Sequence, residues 1–294
     1  MNRILFERAE IVNGCATFSD GRAEHVLNVL HGAVGQTLKT GELDGLVGTS
    51  VITAIRDLHE REAGAAQRGS GARTGTVVVA CAHTEKAPEP WFDLLLAPPR
   101  PRVLKRLLPQ LTALGVGKIV LVGAAKVEKA FWGAQLLKET VYRPLLVDGL
   151  MQCGTTRVPA IRCERNFRRY VESAAAEEFS DCERIVAHPA HLPPSNSHLP
   201  PPNSQLPPPN LQLPTPNFQL PTSNSQLTTS NSQLPTHTPP RCVLAIGPEG
   251  GWMEEEVAML ESKGFRRRSL GSRILRTDTA AIALIAQMMA EKGI

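Results

Sequence analysis

The fold is decided by two stretches near the end of the chain, AIGPEGGWMEEEVAML at residues 245–260 and GFRRRSLGSRILRTDTAAIALIAQMM at residues 264–289. In each stretch a short strand leads into a loop, and the loop leads into a helix. Loops that follow parallel strands emerge at the carboxyl edge of the sheet, where ligands bind in α/β folds. The two stretches therefore predict a ligand site made from two loops on one wall of the protein.

The two loops offer different chemistry. Residues 247–251, GPEGG, expose backbone amides with almost no side-chain bulk, which suits close approach by a flat ligand. This loop matches neither a phosphate loop nor the GxGxxG of a dinucleotide site. The second loop places Arg273 and Arg276 just before a helix start, which predicts a site for a carboxylate or phosphate. Asp278 is interpreted as the cap of that helix.

Strands alternate with helices over most of the chain. Strands are predicted at 118–122, 183–188, 242–247 and 265–270, and helices at 102–114, 132–153, 165–179, 253–263 and 277–292. Residues 76–82, TVVVACA, are predicted to open the alternation as a strand buried on both faces. Gly115 is predicted to be a left-handed C-cap and Pro144 to break or restart its helix. The alternation favours an α/β fold with a mostly parallel sheet covered on both faces.

Residues 1–70 follow another pattern. Short apolar segments separated by glycines favour a small β-barrel or sandwich, with one helical piece at 24–30. Residues 60–75, rich in Gly, Ala and Arg, are interpreted as a linker. The chain is therefore expected to contain a β-rich first domain and an α/β second domain.

Six consecutive heptapeptides run from Asn196 to His237, beginning with NSHLPPP and ending with NSQLPTH. Prolines in nearly every unit exclude a helix, and one leucine per unit cannot form a core. Residues 190–240 are therefore predicted to be a disordered or polyproline-like insertion in a surface loop, with a docking segment as the alternative. We expect excision of residues 192–238 to leave the fold and the ligand affinity intact.

The composition narrows the class of protein. Among 294 residues, of which 42% are hydrophobic, no run approaches the roughly 18 to 20 apolar residues that cross a bilayer, and the charged start MNRILFERAE does not resemble a signal peptide. We therefore expect a cytoplasmic protein without membrane contact. The six cysteines are scattered without metal-binding spacing, so no metal is expected. The net charge of +4 is compatible with a phosphate-rich partner.

Residues 246–281 resemble the C-terminal signature of the RsmE family, which reads IGPEGG(F/W) followed by SLG.RILR(T/A)ETA. Weaker similarities to this family lie at residues 25–30, 114–116, 152 and 157–159. The chain departs from the family pattern at His31, Ala113, Met151 and Asp278, where the family has Arg, Glu, Glu and Glu. The resemblance covers nearly the whole chain outside the repeats.

The resemblance implies S-adenosylmethionine-dependent methylation of N3 of a specific uridine in 16S ribosomal RNA of the small ribosomal subunit. It also implies a PUA-like RNA-binding β-barrel at residues 1–70 and a SPOUT domain with a trefoil knot at residues 76–294. Family members pair as homodimers, and the last helix, apolar nearly all round, agrees with a helix covered on every side.

The resemblance and the loop chemistry together give candidate site residues. The residues expected to bind S-adenosylmethionine are His188, Gly247, Pro248, Glu249, Gly250, Leu270, Gly271, Ile274 and Leu275. Arg276 is the catalytic candidate, stabilising negative charge on the uracil ring or orienting a phosphate. The basic residues expected to bind RNA are Arg3, Arg8, Arg22, Arg102 and Lys105. No residue stands out as a general base.

Two other functions fit the same sequence. One is a related SPOUT enzyme that acts on transfer RNA or on another ribosomal nucleotide. The other is a catalytically silent RNA-binding protein whose cofactor pocket has been spoiled by the insertion. Binding of S-adenosylmethionine separates the silent protein from the enzymes.

Overall fold

The computed structural model describes residues 2–57, 73–189 and 241–294. The heptapeptide insertion and most of the expected linker lie outside these residues. Within them the chain forms two sheets of six strands each, one mostly antiparallel and one parallel. The mixed α/β fold with a parallel sheet is therefore confirmed.

The elements follow one another as expected for two regions joined end to end. The first sheet contains β1 (Ile4–Phe6), β2 (Ile11–Val12), β3 (Cys15–Phe18), β4 (Thr37–Glu42), β5 (Leu46–Asp57) and β6 (Gly75–Lys86). The second contains β7 (Phe92–Leu96), β8 (Val116–Val122), β9 (Ala160–Glu164), β10 (Glu183–Ala187), β11 (Cys242–Ile246) and β12 (Arg266–Arg268). The helices are α1 (Gly21–Asn28), α2 (Pro101–Ala113), α3 (Glu139–Cys153), α4 (Phe167–Tyr170), α5 (Ala176–Glu178), α6 (Glu254–Ser262) and α7 (Thr277–Lys292).

The first sheet has the order β1-β4-β5-β6-β3-β2, and its only parallel pair among the described strands is β1 with β4. Helix α1 covers one face and buries Ala23, Val26 and Leu27 against the sheet. Gly48 lies at a register shift between β5 and β6, where a Cβ would come within 2.1 Å of the carbonyl oxygen of Ala82. Glycine is required there because the two backbones approach too closely for a side chain.

The strand predicted at 76–82 belongs to this first sheet, which corrects the expectation that it opens the α/β alternation. It forms part of β6, which pairs antiparallel with β3 and β5. Its side chains alternate between buried and half-buried positions, as in a strand with one covered face. The first sheet therefore extends to Lys86, beyond the boundary at residues 70–76 that the sequence predicted.

The second sheet has the order β12-β10-β11-β7-β8-β9, and every strand pair in it is parallel. Every residue of the two central strands, β7 and β11, is buried. Helices α2, α3 and α7 cover one face, and α4 and α6, with the buried Val171 and Ala175 that follow α4, cover the other. Large side chains such as Leu284, Ile285 and Met288 of α7 are buried in this core, each contributing about 1.5 to 3 kcal/mol.

Two helices contain proline without breaking. Pro144 lies inside α3 and Pro109 inside α2, so the predicted break at Pro144 is wrong. The carbonyl group that a proline leaves without its helical partner is that of the residue four positions earlier, here Thr140 and Lys105. Both of those residues are exposed, so water can bind the carbonyl oxygens. Gly115 follows α2 with φ +90°, as predicted for its C-cap.

The first sheet is tied to the segment around the end of α3. The backbone amides of Asn2 and Arg3 both donate to the carbonyl oxygen of Met151, at 2.8 and 3.0 Å. The hydroxyl group of Thr156 donates to the carbonyl oxygen of Gly45 at 2.7 Å. The bonds to Met151 hold the first residues of the chain against the end of α3, and the bond from Thr156 adds a contact between the turn after β4 and the segment after α3. No helix in the described ranges is long and apolar enough to cross a membrane.

Candidate functional site

The carboxyl ends of β10, β11 and β12 lie side by side, and the loops that follow them enclose a cavity of about 420 Å³. All nine residues predicted to bind a cofactor line this cavity, which we call the loop pocket. The three strands are neighbours in a parallel sheet, so their loops emerge at the same edge. The structure thus brings together two loops separated by a helix and adds His188 from the end of a third strand.

Glycines shape the first loop. Gly251 has φ +70°, and its amide donates to the carbonyl oxygen of Pro248 at 2.8 Å, which closes a tight turn. A Cβ at Gly247 would lie 3.0 Å from the backbone nitrogen of Trp252, so the loop folds closely back on itself. Backbone groups rather than side chains therefore face much of the pocket.

The carboxylate of Glu249 points away from the loop and towards α2. Its Oε1 atom accepts a hydrogen bond of 2.9 Å from the backbone amide of Arg100, the N-cap residue of that helix. A negative charge at a helix start is favourable because the first amides of the helix have no internal partner. Glu249 therefore fixes the position of the GPEGG loop against the neighbouring strand-to-helix turn.

Trp252 and Glu256, which the sequence analysis did not select, support the same loop. The Trp252 ring is 5% exposed and packs on Phe167 with ring centroids 5.3 Å apart. Its buried Nε1 has no acceptor among the described residues. Glu256 accepts hydrogen bonds from the amides of Ala125, at 2.7 Å, and Met253, at 2.9 Å. Their signal in the sequence was weak because an indole beside a glycine turn and an acidic first helical turn both have ordinary structural explanations.

The second loop forms an apolar rim. Ile274 is 87% exposed, and Leu270 and Leu275 are each 37% exposed, although all three line the pocket. Exposed apolar side chains around a concave site are available to cover an apolar or aromatic ligand. The hydroxyl group of Thr277 donates to the carbonyl oxygen of Gly247 at 3.4 Å and so links the two loops.

The two arginines of the second loop lie in different places. Arg273 lines the pocket, whereas Arg276 is exposed and is not among the lining residues. Arg276 is the N-cap residue of α7, and Asp278 lies inside the first turn, which corrects the prediction that Asp278 caps this helix. The Asp278 carboxylate instead pairs with Arg106 of α2 at 3.2 Å.

Two lining side chains could accept a proton, and both already have partners. His188 Nε2 lies 3.3 Å from a carboxylate oxygen of Glu254, and its Nδ1 lies 2.9 Å from the carbonyl oxygen of Pro189. Glu249 is bound to Arg100, as described above. The geometry therefore identifies no general base for the pocket. Among all the residues that the structure describes, no group of three or more His, Cys, Asp and Glu side chains is arranged to hold a metal ion.

Two of the five residues predicted to bind RNA have structural roles in the first sheet. The Arg22 guanidinium group lies 5.4 and 5.5 Å from the ring centroids of Phe6 and Phe18 and pairs with Glu10 and Asp20. Hydrogen bonds from Arg22 lower the pKa of both carboxyl groups. The Arg22 side chain is only 17% exposed, so it is not positioned to contact RNA.

Arg3 is also held by protein atoms. Its guanidinium group donates to the carbonyl oxygens of Thr40, at 2.6 Å, and Gly48, at 2.9 Å. By contrast, Arg8, Arg102 and Lys105 are exposed. RNA contact stays a prediction for all five residues, and the exposure of Arg8, Arg102 and Lys105 favours these three over Arg3 and Arg22.

The three successive arginines of β12 all have carboxylate partners. Arg266 pairs with Glu183, Arg267 with Glu254 and Glu261, and Arg268 with Glu291. The alternation of side chains along a strand places these partners on different elements. The three positive charges are therefore largely neutralised by carboxylates of the chain itself.

Solved structures share this arrangement of sheets. A methyltransferase from Legionella pneumophila in complex with S-adenosylmethionine is 20% identical, with a TM-score of 0.59 over 99% of this chain and 97% of that one. The ribosomal RNA small subunit methyltransferase E of Neisseria gonorrhoeae, bound to S-adenosylmethionine, is 18% identical, with a TM-score of 0.58 over 99% and 98%. The fold is thus that of a class of α/β methyltransferases.

The RNA methyltransferase domain model matches residues 86–201 and 217–289, so this chain belongs to that family. The match begins at Lys86, where the first sheet ends. The ribosomal RNA small subunit methyltransferase E of Treponema pallidum is 26% identical to this chain over 99% of its length and 91% of the relative. The predicted resemblance to the RsmE family is thereby confirmed.

Proposed function

We propose that this chain methylates N3 of a uridine in 16S ribosomal RNA of the small ribosomal subunit, with S-adenosylmethionine as methyl donor. The observation that carries the proposal is the convergence of the GPEGG loop and the Leu270–Leu275 loop on one cavity at the carboxyl edge of the parallel sheet. A relative that matches nearly the full chain is named ribosomal RNA small subunit methyltransferase E, and two structural neighbours contain this donor.

The loop pocket fits the donor in size and chemistry. Its volume of about 420 Å³ lies within the range of about 300 to 1,000 Å³ typical of small-molecule sites. Backbone groups of Gly247 and Gly250 and the apolar side chains of Leu270 and Leu275 suit an adenine ring, which needs hydrogen bonds at its edge and packing on its faces. Arg273 suits the carboxylate of the methionine part. The remaining predicted residues, His188, Pro248, Glu249, Gly271 and Ile274, complete the wall.

The donor supplies an activated methyl group, so the protein has to place the nucleophile in line with it and manage one proton. The neutral imide N3 of uracil is a poor nucleophile and must lose its proton. We propose that Arg276, at the rim rather than inside the pocket, stabilises the negative charge that then develops on the uracil ring. A paired uridine also has to leave its helix to reach the pocket.

The proposal includes the finer architecture implied by the family. The first sheet acts as a PUA-like RNA-binding domain, the second region as a SPOUT domain with a trefoil knot, and two copies pair as a homodimer. The six-stranded, mostly antiparallel first sheet, the shared fold of the neighbours and the apolar helix α7 support these statements. Activity on a ribosomal subunit places the protein in the cytoplasm.

Two measurements test the proposal. Calorimetric titration of the full chain with S-adenosylmethionine is expected to show binding, and its absence favours the silent RNA-binding protein. Mass spectrometry of 16S ribosomal RNA from cells lacking this protein is expected to show loss of one N3-methyluridine. An unchanged 16S profile with a lost methyl group in transfer RNA or at another ribosomal nucleotide favours the alternative SPOUT enzyme.

A further inference from the structure

A cavity of about 460 Å³, separate from the loop pocket, lies beside the carboxyl half of β9. The lining side chains that can donate hydrogen bonds are those of Arg162, Arg165, Asn166, Arg169, Tyr170 and Ser173. Guanidinium, amide and hydroxyl groups offer many hydrogen-bond donors and suit phosphate oxygens. We call this cavity the Arg165 groove.

The carboxylates around the Arg165 groove are already neutralised. Glu164 binds Arg162 at 2.6 Å, and Glu178 binds Lys118 at 2.7 Å. Burial opposes the ionisation of Glu178, but hydrogen bonds from Lys118 and Tyr170 outweigh it and lower the pKa of this carboxyl group. Two negative charges are thus balanced by two positive ones within the wall itself.

Arg165 and Arg169 remain as uncompensated charges. Arg165 is exposed, and among the described residues its guanidinium group contacts the Trp132 ring, 5.9 Å from the centroid, and the Trp132 carbonyl oxygen, at 3.5 Å. Arg169 is exposed, and its guanidinium group has no partner among the described residues. The groove therefore carries a net positive charge from two side chains that have no carboxylate partner in the part of the chain that the structure describes.

The Arg165 groove leads back to the loop pocket. A third cavity, of about 420 Å³, shares Arg165 and Asn166 with the groove and reaches Met253 and Phe167. Trp252, next to Met253 in the chain and packed on the Phe167 ring, lines the loop pocket. The three cavities thus form a series along the carboxyl edge of the parallel sheet.

We infer that the Arg165 groove binds backbone phosphates of the substrate RNA on one flank of the target nucleotide. The inference rests on the proposed function, because it takes the target nucleotide, presented to the methyl donor at the opening of the loop pocket, as the starting point of the path. An RNA strand is favoured over an acidic protein segment because the path continues from a site for a nucleotide, and phosphates recur along RNA at regular intervals. Arg165 and Arg169 act here as charges that position the strand, without reading its sequence.

The test compares two charge-matched double variants of the full chain. Arg165→Gln with Arg169→Gln removes the two charges of the groove, whereas Lys138→Gln with Arg266→Gln removes two exposed charges that line none of the three cavities. Each variant is titrated with S-adenosylmethionine and with 16S ribosomal RNA transcribed in vitro, at several salt concentrations. Unchanged affinity for S-adenosylmethionine shows that both variants are folded at the loop pocket.

The groove variant is expected to bind RNA about 10-fold or more weakly at about 0.1 M salt, with the slope of log affinity against log salt reduced by about 1.5. The control variant is expected to keep the wild-type slope. Equal slopes for the wild type and the groove variant overturn the inference while leaving the proposed function intact. A wild-type chain that binds no RNA overturns both the inference and the proposed function. A wild-type chain that binds RNA but not S-adenosylmethionine contradicts the proposed function alone.

Discussion

The two edges of the parallel sheet differ in how many of their positively charged side chains pair with carboxylates. At the amino edge, cations are paired with carboxylates: Arg241 with Asp93 at 2.6 Å, and Arg266 and Lys292 with Glu183 at 2.7 and 3.1 Å. These pairs join neighbouring strands and the last helix. They hold the sheet together and leave little charge for a ligand.

At the carboxyl edge, several cations have no such partner. Arg165, Arg169, Arg273 and Arg276 are exposed and have no carboxylate partner in the part of the chain that the structure describes. The same edge carries the glycine turns and the apolar rim of the loop pocket. The difference teaches that the edge on which an arginine lies, rather than total charge, separates the paired arginines of the amino edge from these four exposed and unpaired ones.

The largest expected effect is the loss of activity when an unpaired arginine of the carboxyl edge is replaced. Arg276→Gln is expected to lower kcat about 100-fold, because an exposed guanidinium group at the pocket rim no longer stabilises negative charge on the base. The affinity for S-adenosylmethionine should stay unchanged, since Arg276 does not line the pocket. Arg273→Gln is the matched variant, which should instead weaken binding of the donor. Methyl transfer to 16S ribosomal RNA and calorimetry measure the two effects, and a weakened donor affinity in Arg276→Gln would contradict the assignment.

A smaller effect is expected from a change in backbone packing at the same edge. Gly123 follows β8, and a Cβ there would lie 2.0 Å from the carbonyl oxygen of Arg165. Gly123→Ala is therefore expected to lower the free energy of unfolding by about 1 to 3 kcal/mol. Gly133→Ala, with no atom within 4 Å of its Cβ, is the control and should be nearly neutral. Urea denaturation measures both, and equal stabilities would show that the edge can shift freely.

The smallest effect concerns the amino edge and depends on pH. Burial raises the pKa of Asp93 despite its hydrogen bond from Arg241. Because the folded pKa is above the unfolded one, the stability that protonated Asp93 contributes is present at low pH and lost as pH rises through the raised pKa. Arg241→Ala should raise this pKa further and destabilise the protein by about 1 to 2 kcal/mol, less than for a fully buried pair because Arg241 is 42% exposed.

Urea denaturation at an acidic pH, where Asp93 is protonated in both the folded and the unfolded chain, and at a neutral to alkaline pH tests this change. The loss of stability in Arg241→Ala should be larger at the higher pH, where Asp93 is ionised without its partner. Arg266→Gln is the control, with a change below about 1 kcal/mol at either pH, because its pair with Glu183 is exposed. A loss in Arg241→Ala that does not depend on pH would show that packing, not charge, explains the contact.

The loops of the candidate site could be predicted from the sequence because their signals are local. Glycines at 247, 250 and 271 report tight turns, and the strands before them are short and distinct. All nine predicted cofactor residues consequently line one pocket, although their role in binding stays a prediction. Arg276 lies outside the lining because side-chain direction at a helix cap depends on the packing of α7, which no local pattern records.

Other features depended on tertiary structure and could not be predicted. Strand β7 was missed because its five residues, FDLLL between Pro90 and Pro98, are too few to show a periodicity that separates a strand from a buried helix. The run at 76–82 was assigned to the wrong sheet, since β-branched residues predict a strand but not its neighbours. The roles of Arg3 and Arg22 follow from acceptors and rings brought close only by folding.

The hydrogen bonds from Asn2 and Arg3 to Met151 have a consequence for biosynthesis. During translation the first residues leave the ribosome long before Met151 does. The amides of Asn2 and Arg3 therefore have no access to the Met151 carbonyl oxygen until α3 has emerged. The first sheet can form most of its ladders early, but its outer strand β1 gains these two anchoring bonds only after more than half of the polypeptide has been made. Ribosome stalling at successive lengths should therefore show protection of the N-terminus from proteases only once α3 is complete.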